Sequence, residues 1–106
     1  MVCGYGRIGR VLALNLINHP MDVVIVEQNT DLVPVMDADN VLYVSGSATE
    51  EEALIAAGIK KAKTLVAVLA TDTDNVFLVL TARQLNPDLY IMARTSQESV
   101  KSLMSH

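Results

Sequence analysis

The run Val2-Cys3-Gly4-Tyr5-Gly6-Arg7-Ile8-Gly9-Arg10 holds the residue types that capture of an anionic cofactor requires. A short apolar strand leads straight into G-x-G-x-x-G, and a helical apolar pattern follows. Gly4 suits a tight turn off the strand, Gly6 lets a pyrophosphate approach bare backbone, and Gly9 lets the helix pack close on the sheet. The helix N-terminus then offers free N–H groups to phosphate. Eighteen residues beyond Gly9, the apolar strand Val23-Val24-Ile25-Val26 ends on Glu27. A carboxylate at that strand tip accepts hydrogen bonds from ribose hydroxyls. The chemistry implied is noncovalent binding of a nucleotide or dinucleotide by a βαβ unit.

Other chemistry finds little support. His19 stands beside Pro20 and reads as a loop residue, Cys3 as a small core residue of the first strand, and the five methionines as dispersed core filler. Asp72 and Asp74 alone do not specify a metal, because further oxygen ligands at suitable spacing are missing. No Ser–His–Asp, Cys–His or paired-carboxylate arrangement can be built, so no catalytic residue is assigned.

The elements that must position these residues follow from composition and periodicity. A chain of 106 residues makes one small domain, too short for a nucleotide domain plus a catalytic domain. Hydrophobic residues make up 51% and aromatics only 4%, so Val, Leu, Ile and Ala fill the interior, as in a parallel sheet buried on both faces. A net charge of −4 without a basic cluster excludes nucleic-acid binding by a charged patch. No apolar run reaches the length of a membrane span, and the start does not read as a signal peptide. A single cysteine excludes an internal disulfide framework and fits a reducing, intracellular compartment.

Apolar spacing predicts a helix over Arg7 to Asn18, a strand over Asp22 to Glu27, and a short helix over Thr30 to Met36 capped by Asn29 or Thr30. A third strand spans Val41 to Val44. Thr49 is expected to cap the next helix, which stops at Gly58 in a left-handed conformation. Thr64 to Ala70 reads as a central parallel strand, and the polar turn 71–75 opens a helix that runs to Leu85. Val76, Phe77, Leu78, Val79 and Leu80 leave that helix no polar stripe, so a partner is expected on the side the sheet does not cover. Leu89 to Arg94 forms a fifth strand, and Ser96 caps a final helix to Met104. Right-handed crossovers make this α/β pattern a doubly wound, Rossmann-like parallel sheet with strand order 3-2-1-4-5, in a single domain. Few residues precede Gly4 and no strand follows the last helix, as expected of a piece truncated at both ends.

Ligands of such a sheet sit at the carboxyl ends of the strands, where the strand order reverses. The turns Gly4–Gly9, 27–29, 46–49 and 71–75 all reach that crevice. Gly46-Ser47-Ala48 lies near an adenine or is an ordinary turn and cap. Asp72 and Asn75 read as helix caps, with ligand contact as an additional role. Arg94 reaches a phosphate, a partner carboxylate or solvent.

The segments VCGYGRIGR, VVIVEQN, GSATEEEALIAAGIKKAKTLVAVLATDTDN and IMAR, in this order, resemble the RCK N-terminal domain, also called TrkA-N or KTN. The resemblance covers essentially the whole chain. It implies a cytoplasmic, non-catalytic regulatory domain of a potassium channel or transporter, held at the inner face of the membrane by an attached or associated membrane protein. It implies NAD(H) or an adenine nucleotide (ATP, ADP or AMP) as ligand. Its binding positions map onto Gly4, Gly6, Arg7, Ile8, Gly9, Glu27, Ser47, Ala48, Thr71, Asp72, Asn75 and Arg94, with Tyr5, Gln28 and Gly46 beside them in the same turns. The third-strand turn usually reads G-D-A in this family and here reads Gly46-Ser47-Ala48, which replaces a charge by a hydroxyl. The resemblance also implies a homodimer or larger ring. Two other readings stay open on the residues themselves. One is the Rossmann domain of an NAD-dependent oxidoreductase whose catalytic domain is absent; the other is a dimerisation module that has lost its ligand.

Overall fold

Side chains that alternate along short strands decide which residues face which layer of helices. The computed structural model describes residues 1–18 and 22–94. Strands β1 (Val2–Cys3), β2 (Val24–Glu27), β3 (Leu42–Ser45), β4 (Thr64–Ala67) and β5 (Tyr90–Ala93) form one parallel sheet in the order 3-2-1-4-5, as expected. Val2 lies in register with Ile25 on one side and Val66 on the other, so β1 is the central strand and the order reverses between β1 and β4.

Helix α1 (Arg7–Ile17) and helix α2 (Val33–Ala38) cover one face, where Val2, Ile25 and Val66 meet Ala13 and Met36. On the other face, Cys3, Val26, Leu65 and Ala67 meet α3 (Glu51–Ala56) and α4 (Asp72–Leu85) through Leu54, Leu78 and Ala82. Cys3 is fully buried, and burial pushes its thiol up to about 12, so it stays a neutral core residue.

Local signals account for most boundaries. Asn29 accepts the N–H of Asp31 and caps a 3-10 turn (Thr30–Leu32) that runs into α2, with Pro34 held in the first turn. Gly58 ends α3 at φ +87°, while the N–H of Ile59 reaches back to the carbonyl of Leu54 at 3.1 Å. Two expectations need correction. Thr49 does not cap α3: the Ser47 and Thr49 hydroxyls lie 2.6 Å apart, Ser47 Oγ accepts the Thr49 N–H, and the helix starts from Glu50. Strand β4 stops at Ala67 rather than Ala70 because it parts from β5 beyond that point. His19, Pro20 and the expected helix from Ser96 to Met104 lie outside the described residues.

The covering of α4 is also more uneven than its composition suggests. Leu78 and Ala82 are fully buried, and Val79 packs partly against the same core. Phe77 and Leu80 remain 53% and 56% exposed, so these two form the uncovered apolar pair.

Candidate functional site

The glycine turn shows three different reasons for three glycines. Gly4 has φ +109°, and a Cβ there would meet the Val68 carbonyl oxygen at 2.5 Å. At Gly9 a Cβ would stand 1.9 Å from the Gly4 carbonyl oxygen, so α1 packs on the turn itself. A Cβ added at Gly6 would meet nothing within 4 Å, and the space there opens directly into a cleft. With glycine as its N-cap, α1 begins without a side-chain cap, so its first N–H groups face outward over the turn.

That cleft lies at the carboxyl ends of the strands, where the order reverses. It has a volume of about 640 Å³, within the range of small-molecule sites. Its floor is Gly4, Gly6, Arg7, Ile8 and Gly9. One wall comes from Val26, Glu27, Gln28, Asn29 and Leu32, continued by Ser47, Ala48 and Thr49. The opposite wall comes from Val68, Leu69, Ala70, Asp74 and Arg94.

Glu27 is tied to two turns at once. Its Oε1 accepts the backbone N–H of Tyr5 at 2.6 Å, and its Oε2 accepts that of Asn29 at 2.8 Å. Each carboxylate oxygen has two acceptor directions, and among the described residues one on each is left for an incoming hydroxyl. The carboxylate thus fixes the glycine turn and still has capacity for a ligand.

Five residues singled out in the sequence stand outside the lining. Tyr5 is 1% exposed and turns its ring inward, where its hydroxyl donates to Asp39 Oδ2 at 2.6 Å. Burial, and then the Asp39 carboxylate, push the Tyr5 phenol up to about 12. Arg10 grips the same carboxylate with two hydrogen bonds of 2.8 and 2.9 Å, and these, with the Tyr5 hydroxyl, hold Asp39 down at about 2. Gly46 gives its N–H to the Glu27 carbonyl at 2.9 Å. Thr71 is the N-cap of α4 and accepts the Asp74 N–H, while Asp72 is exposed on the first turn. Asn75 is 1% exposed, with its amide oxygen and nitrogen both engaged behind the cleft wall.

The sequence places Asp74 and Thr49 in turns that reach the cleft without singling them out, and carries no signal for the wall Val68–Ala70. Taking Thr71 as the cap places Asp74 three residues on, at the helix position that faces the cleft, and that count was the available signal. The Tyr5–Asp39–Arg10 link had no sequence signal, since it joins residues 29 and 34 positions apart.

Among known proteins, the family model of the TrkA-N domain matches residues 1–106. A probable potassium channel protein 2 of Methanocaldococcus jannaschii is 40% identical over 97% of this chain, which spans 31% of that relative. A Trk system potassium uptake protein TrkA homolog of Pyrococcus horikoshii is 29% identical over 97% of the chain and 46% of its own length. The chain therefore spans less than half the length of these curated relatives. The TrkA-N domain of the inner membrane protein ybaL from Escherichia coli superposes with a TM-score of 0.88 at 28% identity, over 98% of this chain and 77% of that one. The GsuK channel bound to NAD superposes with a TM-score of 0.83 at 27% identity, over 98% of this chain and 19% of that one. GsuK bound to ADP gives 0.82 at 27% identity, over 98% and 27%. The parallel sheet, the glycine turn and these matches agree: the chain belongs to the TrkA-N family.

Proposed function

We propose that this domain binds NAD(H) or an adenine nucleotide in the cleft and passes its occupancy to a potassium channel or transporter on the cytoplasmic side of the membrane. The observation that carries the reading is the Glu27 carboxylate, which keeps one free acceptor direction per oxygen beside the open space over Gly6. The diphosphate lies over Gly6 against the first N–H groups of α1, with Arg7 at hand. The ribose diol meets Glu27, and the base lies toward Ser47 and Ala48. GsuK structures with NAD and with ADP support this class of ligand.

The role is regulatory rather than catalytic. Among the described residues, the lining of the cleft contains no histidine, cysteine or lysine to activate its hydroxyls or carboxylates. Transmission needs only differential affinity: a ligand that favours one arrangement of paired domains biases whatever is attached to them. Ligand at 100 times its dissociation constant stabilises the bound state by about 2.7 kcal/mol, enough to move a balanced equilibrium about a hundredfold to one side.

Thermal melting of the chain with NADH, NAD, ATP, ADP and AMP tests the binding step, with a rise in Tm expected from at least one. No shift from any at millimolar concentration would overturn the reading. The regulatory step is tested on the full-length protein, by potassium flux in vesicles with and without the ligand that shifts the melt.

A further inference from the structure

The β4–β5 ladder is regular up to the pair Ala67 and Ala93, and its last backbone bond runs from the Arg94 N–H to the Ala67 carbonyl at 2.9 Å. In a parallel ladder the next bond would join the Leu69 N–H to the Arg94 carbonyl. Instead, the side-chain amide of Asn75 is inserted between them. Its Oδ1 accepts the Leu69 N–H at 2.8 Å, and its Nδ2 donates to the Arg94 carbonyl at 2.7 Å and the Leu69 carbonyl at 3.3 Å. An amide is the one side-chain group that repeats a peptide's donor and acceptor. Its orientation is fixed, because only the oxygen can accept from Leu69 N–H. Asn75 is 1% exposed, so its own amide oxygen and nitrogen would lack partners without these three bonds.

Leu69 and Arg94 both line the cleft, from neighbouring strands. We propose that Asn75 is a positioning residue for the cleft: its amide relays the missing ladder bond, parts the ends of β4 and β5, and so sets Arg94 at the rim, where its guanidinium meets the phosphate end of the ligand. The inference rests on the nucleotide reading for its affinity test, and a second measurement needs no ligand.

The ligand-free measurement is amide hydrogen exchange of the 106-residue chain followed by NMR. In Asn75→Ala, exchange at Leu69 should quicken at least tenfold while Val66, whose N–H bonds the Met1 carbonyl across the β1–β4 pairing, keeps its protection, and the Arg94 carbonyl 13C resonance should shift upfield. Asn75→Asp retains an acceptor for the Leu69 N–H but has no donor for the Arg94 carbonyl, so Leu69 should keep its protection while the Arg94 carbonyl 13C resonance shifts upfield as its hydrogen bond is lost. Unchanged exchange at Leu69 in Asn75→Ala, an unchanged Arg94 carbonyl resonance in both variants, or a uniform change across the sheet overturns the relay. The affinity measurement is calorimetry with ADP in a double-mutant cycle. Arg94→Ala and Asn75→Ala should each weaken binding about tenfold, and the pair together no more than either alone. Independent, multiplying losses, or an effect of Asn75→Ala where Arg94→Ala has none, would overturn the action through Arg94. If the unaltered chain binds neither ADP nor NAD, the nucleotide reading fails by itself, and the exchange result alone decides the relay.

Discussion

Glu27 and Tyr5 are joined by a 2.6 Å hydrogen bond from the Tyr5 backbone N–H to Glu27 Oε1, which ties the tip of β2 to the glycine turn after β1. The residue proposed to hold a ribose is therefore also a brace for the glycine turn proposed to hold the phosphate. Replacing it should act twice. Glu27→Ala should weaken NAD binding by about 1–3 kcal/mol in calorimetry, and should also lower the Tm of the free chain, because the Tyr5 and Asn29 N–H groups lose their acceptor. Unchanged affinity would show that the carboxylate only braces the turn. NADP should bind more weakly than NAD, since its 2′-phosphate meets the same negative charge.

The glycines give a contrast that separates ligand from fold. Gly6→Val places its side chain in open cleft, so the Tm of the free chain should hold while nucleotide binding is lost. Gly9→Ala forces a carbon into the Gly4 carbonyl, so it should destabilise the chain by about 1–3 kcal/mol or more. Thermal denaturation by circular dichroism reads both. Equal melts for the two variants would contradict the placement of the turn.

Asp39 and Tyr5 set the pH limits of their network. The folded Asp39 carboxyl is held at about 2, below its ordinary 3.8, by Arg10 and then by Tyr5. Its contribution is fully present above about pH 4 and is lost as pH falls toward 2. Tyr5 is raised from 10.0 to about 12, so its contribution holds below pH 10 and is lost as pH rises toward 12. Asp39→Asn should flatten the acid limb of a Tm–pH curve, and Tyr5→Phe the alkaline limb. Parallel curves for variant and wild type would show the network to be without weight.

Phe77 and Leu80, exposed side by side on α4, mark the surface on which a second copy is expected to sit. Sedimentation at tens of micromolar should give a dimer for the unaltered chain and a monomer for Phe77→Glu with Leu80→Glu. A monomer in the unaltered chain would remove the pairing that the transmission mechanism needs.

Much of the architecture was legible because its determinants are local. Gly4 and Gly58 sit where φ is positive, Asn29 where a side chain can cap, and the unbroken apolar run at Thr64 where a strand is covered on both faces. The strand order followed from alternation and handedness. What escaped was set by partners distant in sequence. Asn75 sits in a turn full of capping residue types, and only the approach of Arg94, nineteen residues on, gives its amide a second use. Thr49 has the composition of a cap, yet Ser47 occupies its hydroxyl and N–H. Val79 and Phe77 are equally apolar, and the sequence has no means to say which one turns inward.

The glycine turn is held in place before any ligand arrives, by Glu27 on the Tyr5 N–H and by Asp39 on the Tyr5 hydroxyl. The entropy of ordering that loop is lost when the chain folds, not when the ligand arrives, which leaves more of the contact energy to appear as affinity. Exchange between competing nucleotides is then limited by how fast the resident one departs. For the proposed nucleotide, such a cleft would report occupancy by affinity alone, as a gauge rather than a latch.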